Sequence, residues 1–238
     1  MKRGVRTQRT ILRPVRLAGI GYWSSQDVLV EFRPALPHSG VTFVRCDVTP
    51  VCRIRARVDN RIDTPRRTTL ARQKHVVEMV EHILAALAGL RIDNCEVWVN
   101  APEMPAWDGS SDAATCALLD AGVATQEVSR DLLVIDRPLR VGDDQAWILA
   151  EPHAEPGLHL RYELDFGPEC PIAPQAFELT VNPESFRREI APARTFVLEA
   201  EAECMRAHGL GARITYRDLL VFGTEGPIEN DVRFPEEC

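Results

Sequence analysis

A short sequence pattern recurs about half-way along the chain and limits the folds that the chain can adopt. Ile135–Arg140 (Ile-Asp-Arg-Pro-Leu-Arg) resembles Ile11–Arg16 (Ile-Leu-Arg-Pro-Val-Arg) at an offset of 124 residues, and Trp147 follows Trp23 at the same offset. Self-similarity at half the length of a chain is typical of a duplicated unit of secondary structure. A chance similarity between two unrelated halves is the alternative.

Each half of the chain reads as short strands followed by helices. The pattern predicts strands over residues 7–16, 27–32, 41–45, 50–58, 67–71, 95–100 and 219–222, and helices over 75–90, 113–120, 183–190 and 198–208. Antiparallel strands with helices on one face form an α+β layer, and two such layers can bury their helices against each other. We therefore predict an α+β fold of two similar layered domains, each a mostly antiparallel sheet, with the helices packed between the sheets. The predicted domains are residues 1–126 and 127–238, and the polar residues 123–131 form the predicted linker.

The densest cluster of carboxylates and imidazoles lies in the predicted helix over residues 75–90. At 3.6 residues per turn, His75, Glu78 and His82 project from roughly one side, and Glu81 lies about 100° from His82. A carboxylate beside an imidazole suits metal-assisted hydrolysis, in which the imidazole binds the metal and the carboxylate takes a proton from water. The spacing is not H-E-x-x-H, and a solvated polar face without a function is the alternative.

Charge is distributed unevenly along the chain. Residues 1–74 carry 16 Lys and Arg against 5 Asp and Glu, a net charge of +11, whereas the remainder carries −18. Arginine forks suit a phosphate-bearing small substrate, and the candidates are Arg53, Arg55, Arg57, Arg61, Arg66 and Arg67. An ordinary solvated face of a strand and its loop is the alternative. We expect no nucleic-acid partner, because no recognition motif or aromatic interleaving accompanies the arginines.

The absence of long apolar segments and the cysteine pattern predict a cytoplasmic protein. No apolar run approaches the roughly 18 residues of a membrane span, and no apolar segment of the kind found in signal peptides follows the basic N-terminus. Seven cysteines without a C-x-x-C pair predict buried free thiols in a reducing compartment. The sequence does not specify an oligomeric state.

Several motifs together resemble one enzyme family along essentially the whole chain. They are, in order, Val80–Asn94 with its Glu-His pair, Asn100–Pro105, Asp108–Ser111 (Asp-Gly-Ser-Ser), Ala193–Phe196 (Ala-Arg-Thr-Phe) and Gly226–Phe234. This set resembles the UDP-3-O-acyl-N-acetylglucosamine deacetylases, the zinc enzymes of lipid A biosynthesis. The resemblance implies a two-domain α+β fold with the active site between the domains, and it favours the duplication over chance.

The resemblance also implies roles for four residues. His82 would be a zinc ligand, Glu81 the general base, Thr195 the group that stabilises the oxyanion, and Phe196 a neighbour of the substrate. The implied reaction is hydrolysis of the N-acetyl group of a UDP-sugar that carries an acyl chain, with release of acetate. His75 and Glu78 have no role that the family implies.

Two departures from the family pattern set further expectations. The other two zinc ligands, the His and Asp of an H-K-x-x-D segment, and a later catalytic His would follow Cys238, and Pro235 would open a helix towards them. Trp23 and Ser25 stand where the family commonly has His and Gly. Because a catalytic zinc needs about three protein ligands, we expect these 238 residues alone to have little deacetylase activity. The alternative function is a non-catalytic relative that binds a nucleotide sugar or an acyl chain, or a half-enzyme that another polypeptide completes.

Overall fold

The computed structural model describes residues 6–105 and 107–237, which form an α+β fold. The strands are β1 Arg6–Ile11, β2 Val15–Ile20, β3 Asp27–Pro34, β4 Val41–Arg45, β5 Cys52–Arg55, β6 Arg61–Ile62, β7 Thr69–Arg72, β8 His75–Glu78, β9 Cys95–Val99, β10 Val123–Arg130, β11 Leu139–Gly142, β12 Trp147–Ala150, β13 Leu158–Leu164, β14 Gln175–Val181, β15 Phe196–Leu198, β16 Leu220–Gly223 and β17 Gly226–Pro227. The helices are α1 Glu81–Gly89, α2 Asp112–Ala121, α3 Pro183–Ser185 and α4 Glu199–Ala207. A 3₁₀ turn covers Val58–Asn60, and a π-helical turn covers Phe186–Ile190.

The first half of the chain is built on a five-stranded sheet in the order β2-β3-β9-β4-β5. Its neighbouring strands are antiparallel except for the parallel pair β4 and β9. Alternation in β3 turns Val28, Val30 and Phe32 into the core, where they are at most 2% exposed. Ile83 and Leu87 of α1 are buried in the same hydrophobic cluster. Packing against this sheet therefore fixes the position of α1 and of the residues at its start.

The second half of the chain carries smaller sheets. β11 pairs with β12 and β13 with β14, both antiparallel, and β16 lies between β15 and β17. Two small hydrophobic clusters of buried side chains form around β16, one with Ile172 and Phe222 and one with Val197 and Ala202. Apolar side chains of β11 and β12, by contrast, are largely exposed, as Ile148 is at 76%. The best-packed part of this half is thus the region around β15, β16 and α4.

The predicted helix over residues 75–90 is wrong in its first part. His75–Glu78 is strand β8, which pairs antiparallel with β7, and α1 begins only at Glu81. Met79 has φ 58°, a left-handed conformation that separates the strand from the helix. The physical reason is that two β-branched residues, Val76 and Val77, favour a strand where a partner strand is available. His75, Glu78 and His82 therefore do not share a helix face.

Other local predictions are also corrected. The predicted strand over 7–16 is two strands, because the chain bends at Leu12 and Arg13 and Pro14 lacks the N–H that a ladder needs. The predicted linker over 123–131 is wrong, because β10 pairs antiparallel with β1. Pro235 lies in a turn rather than at a helix start. Of the cysteines in the described residues, all free, Cys52 and Cys95 are buried, whereas the exposed ones are Cys46, Cys116 and Cys204.

The α+β class is confirmed, while the division into domains 1–126 and 127–238 stays a prediction. Contacts between helical segments of the two halves agree with helices packed against each other. Gly89 at the end of α1 lies under the ring of Phe186, and the Ser111 N–H at the start of α2 donates to the Ala191 carbonyl at 3.1 Å. Within the described residues, the helices are all too short or too polar to cross a membrane.

Replacing Gly89 with Ala should destabilise this helix contact. A Cβ at position 89 would lie 2.2 Å from Cγ and Cδ1 of Phe186, a side chain that is itself buried. Because a buried ring cannot yield without disturbing its neighbours, we expect the free energy of unfolding to fall by about 1–3 kcal/mol. Urea unfolding measures the change, and Ala88→Ser on the exposed side of α1 is the control, with an effect within about 0.5 kcal/mol. Equal stabilities of the two variants would contradict the close packing.

Candidate active site at the start of α1

Glu81 and His82 are the first two residues of α1. The Glu81 carboxylate lies in the first turn, where the helix dipole favours a negative charge, and its Oε2 accepts a hydrogen bond from the Thr68 N–H at 3.0 Å. Its second oxygen has no hydrogen-bond partner among residues 6–105 and 107–237. The helix start thus presents one anchored carboxylate with a free oxygen next to an imidazole.

Burial controls the protonation of His82. It lowers the pKa of the imidazole, and the negative charges of Glu81 and Asp108 only partly oppose that shift. Within the described part of the chain, neither ring nitrogen makes a hydrogen bond. A neutral imidazole with a free nitrogen is the form that binds a metal ion.

The loop before α2 brings a second carboxylate towards His82. Asp108 Oδ1 accepts hydrogen bonds from the Ser110 N–H at 3.1 Å and from its hydroxyl at 2.7 Å, and Oδ2 accepts one from Arg233 at 2.5 Å. Burial alone would raise the pKa of Asp108, but these bonds outweigh it and lower the pKa, so the carboxyl is ionised. Ser110 Oγ in turn accepts from the Asp112 N–H at 3.2 Å. Ser110 therefore contacts the start of α2, whereas Asp108 contacts Ser110 and Arg233.

A buried ion pair at the preceding residue, Arg194, holds the segment with Thr195 and Phe196 near Asp108. Arg194 is 2% exposed at its side chain and forms two hydrogen bonds with the fully buried carboxylate of Glu237, at 2.5 and 2.8 Å. The next residue along the chain, Thr195, donates its N–H to the Gly109 carbonyl at 2.7 Å. Gly109 has φ 84°, and a side chain there would lie 3.3 Å from the Thr195 carbonyl oxygen. Close backbone contact therefore holds the Asp108 loop against Thr195.

His82, Thr195 and Phe196 line one pocket. Its wall is mostly apolar and includes Tyr22, Trp23, Met79 and Gly109 from the first half of the chain, and Met205, Leu210, Ile214 and Leu219 from the second. The Thr195 hydroxyl is exposed and has no hydrogen-bond partner in the described residues. Glu81 is adjacent to His82 in the chain, but its carboxylate contacts Thr68 rather than this wall. Three of the four predicted site residues therefore meet at one pocket, and the fourth, Glu81, is adjacent to His82 in the chain.

Trp23 lines this pocket, and Ser25 follows two residues later in the chain. The Trp23 N–H donates to Glu103 at 2.8 Å, its indole N–H donates to the Met79 sulfur at 3.3 Å, and the Arg67 guanidinium lies 4.7 Å from its ring centre. Ser25 has φ 55°, a left-handed conformation that favours glycine. An indole that contacts Met79 and Arg67 therefore occupies the position where the resemblance implies an imidazole.

The described residues contain no complete set of donors for a metal ion. In residues 6–105 and 107–237, no three His, Cys, Asp or Glu side chains are grouped so that they could hold a metal ion. A catalytic zinc site needs about three protein ligands. His82 fits such a site by its burial and free nitrogens, but a zinc ion would need further donors from outside the described residues.

Sequence reasoning missed several residues of the pocket. Tyr22 contributes a hydroxyl that donates to the Asp218 carbonyl at 2.8 Å, and burial raises its pKa, so the phenol stays protonated. Met205 on α4 and the loop residues Leu210 and Ile214 form the apolar wall. The Leu-x-x-x-Ile spacing after α4 was the only sequence signal for that wall, and it is too common to identify a pocket.

The chain is similar to proteins of known name. A profile of the family described as UDP-3-O-acyl N-acetylglycosamine deacetylase matches residues 8–238. A UDP-3-O-acyl-N-acetylglucosamine deacetylase of Methylococcus capsulatus is 38% identical over 204 residues, which cover 85% of this chain and 66% of that protein. Proteins of the same name from Anaeromyxobacter sp. strain Fw109-5 and Myxococcus xanthus are 34% and 36% identical, each over 97% of this chain, and 74% and 73% of their own lengths are covered. The chain thus spans about two thirds to three quarters of the length of these relatives.

Proposed function

Because the chain belongs to the UDP-3-O-acyl N-acetylglycosamine deacetylase family, we propose that it acts in hydrolysis of the N-acetyl group of UDP-3-O-acyl-N-acetylglucosamine. This reaction is a step of lipid A biosynthesis. The observation that carries the proposal is the apolar pocket lined by His82, Thr195 and Phe196. Its apolar wall suits an acyl chain, and its polar end suits an amide.

The proposed roles are those that the family resemblance implies, and the chemistry of each group is compatible with them. Glu81 takes the proton from a water molecule whose oxygen forms a bond to the amide carbon. The Thr195 hydroxyl donates a hydrogen bond to the oxyanion that develops on the carbonyl oxygen. The C–N bond then breaks, the amine leaves with a proton, and acetate is released. Phe196, held edge-on by Phe166 and Phe222 with ring centres 5.8 and 6.1 Å away, contacts the substrate.

We propose zinc as the metal of the complete site, with His82 as one ligand. The lowered pKa and free ring nitrogens of His82 support this role. The further ligands come from outside the described residues, because those residues contain no group of three donors. The proposed substrate site lies between domains 1–126 and 127–238, since both stretches contribute to the pocket wall. We also propose a cytoplasmic location, which the free cysteines support because disulfides are rare in reducing compartments.

A second candidate function rests on the same incomplete donor set. A relative that binds the UDP-sugar or its acyl chain without hydrolysing it, or a half-enzyme that another polypeptide completes, needs the pocket but not three ligands on this chain. Both candidate functions require binding of the UDP-sugar or its acyl chain, but only the first requires hydrolysis. The ligand is therefore tested first.

Replacing Met205 with Asp should weaken binding of UDP-3-O-acyl-N-acetylglucosamine by about tenfold or more, because a carboxylate would be buried against the acyl chain. Met205 lines the apolar pocket from α4. Titration calorimetry on the 238-residue chain measures the affinity. Met205→Leu conserves volume and should bind within about threefold of the unchanged chain.

A ligand without the acyl chain is the control for this binding test. UDP-N-acetylglucosamine, which lacks the acyl chain, should bind the Met205→Asp variant and the unchanged chain alike. Equal binding of the acylated ligand by both proteins would reject the pocket as the acyl site. Absence of any binding by the unchanged chain would reject this chain as a binder of the proposed substrate.

A further inference from the structure

A second concave surface, rich in arginine, lies on the outer face of β5. We name it the arginine patch, and its cations are Arg53, Arg55, Arg57 and Arg72. It shares no lining residue with the apolar pocket at His82. The patch therefore belongs to a surface other than the proposed substrate site.

Strand alternation places these arginines together. Cys52 and Ile54 of β5 point into the core, so Arg53 and Arg55 share the exposed face. In the described residues β5 pairs with β4 alone, which makes it the edge strand of the five-stranded sheet. Arg72, from β7, donates to the Arg53 carbonyl at 2.8 Å, which fixes a further guanidinium beside this face. Burial of Cys52 and Ile54 in the core therefore fixes Arg53 and Arg55 on one exposed face.

The positive charge of the patch is only partly neutralised. Arg53 pairs with Glu96, and Arg57 lies 3.4 Å from Asp59 in a pair whose side chains are 64% and 71% exposed. The Arg55 guanidinium makes no hydrogen bond or ion pair with any residue that the structure describes. Four cations thus face two carboxylates, one of them in a weak, solvated pair. Close like charges cost free energy that a bound anion would offset.

We propose that the arginine patch is a binding site for phosphate groups, distinct from the proposed substrate pocket. Planar guanidinium forks match the geometry of phosphate oxygens, and several arginines on one face can bind more than one oxygen at once. The concave shape suits a compact oxyanion. The phosphate can belong to a free diphosphate or to the headgroup of an anionic phospholipid, and both present the same oxygens.

The first test is calorimetric titration of the 238-residue chain with pyrophosphate at low ionic strength. The double variant Arg55→Ser with Arg57→Ser removes two exposed cations and should weaken binding by about tenfold or more. The control double variant Arg137→Ser with Arg187→Ser removes the same charge from exposed positions outside the patch. It should bind within about twofold of the unchanged chain. Circular dichroism checks that both variants are folded.

The second test is co-sedimentation with vesicles of phosphatidylcholine, with and without phosphatidylglycerol. Pyrophosphate binding that depends on the patch supports a free diphosphate ligand. Patch-dependent binding to the anionic vesicles alone supports a lipid headgroup. The proposal is overturned if neither probe binds, or if the patch variant and the control variant lose equal affinity, since that would indicate general charge attraction. Pyrophosphate binding that the patch variant leaves unchanged overturns it as well, because the anion would then bind elsewhere.

Discussion

Replacing Glu81 with Gln should lower deacetylase turnover by about 10²–10⁴-fold, the range that a general base contributes. The variant is made in a chimera, in which this chain replaces the matched 236-residue part of the Anaeromyxobacter sp. strain Fw109-5 relative. Gln keeps the shape of the side chain and an oxygen that can accept from the Thr68 N–H, so the start of α1 is preserved. The loss should therefore appear in kcat, with substrate binding changed little.

Glu78→Gln in the same chimera is the matched control. Glu78 lies three residues earlier, at the end of β8, where its carboxylate contacts Arg67 at 3.4 Å. The same chemical change there should alter turnover by less than about threefold, because Glu78 has no proposed role in the reaction and its contact with Arg67 is long. If the two variants lost activity equally, the assignment of the base to Glu81 would fail.

Replacing Arg194 with Met should lower the free energy of unfolding by about 3–5 kcal/mol, the cost of leaving one member of a buried ion pair without its partner. The Glu237 carboxylate would stay fully buried, and Asn230 and the Asp231 carbonyl would each lose a hydrogen bond of 2.7 Å. Because Thr195 and Phe196 follow directly, ligand binding at the pocket should weaken as well. Urea unfolding measures the stability.

A double variant separates charge from packing at this ion pair. Arg194→Met combined with Glu237→Met removes both charges, so it should be at least about 1 kcal/mol more stable than Arg194→Met alone. Arg188→Met breaks a solvent-exposed pair with Glu189 and should cost less than about 1 kcal/mol. A stability loss no larger for Arg194→Met than for Arg188→Met would contradict the structural role of the buried pair.

The fold was predictable wherever one face of an element is apolar and the other is polar. Alternation identified β3, and the predicted helix over 113–120 agrees with α2, Asp112–Ala121. The prediction failed where tertiary pairing decides the conformation. β8 is a strand because it pairs with β7. β10 is a strand because it pairs with β1, although the sequence of β10 is as polar as that of a linker.

The candidate site was predictable only in part from its residues. Spacing alone nominated His75, Glu78 and His82 as one face, and the left-handed residue Met79 breaks that face. The assignment of Glu81, His82, Thr195 and Phe196 came from the family resemblance and stays a prediction. Asp108, whose charge acts on His82, is contacted by Arg233 from the far end of the chain. No local pattern encodes a contact between such distant residues.

The most direct test of the central claim is a deacetylase assay that compares the 238-residue chain, supplied with zinc, with the chimera. We propose that this chain supplies Glu81, His82 and Thr195 to the site, and its described residues contain no group of three metal-binding side chains. We expect the chimera to release acetate from UDP-3-O-acyl-N-acetylglucosamine. We expect turnover by the chain alone to be at least about 100-fold lower, because a catalytic zinc needs about three protein ligands. Comparable turnover by the chain alone, or an inactive but folded chimera, would contradict it.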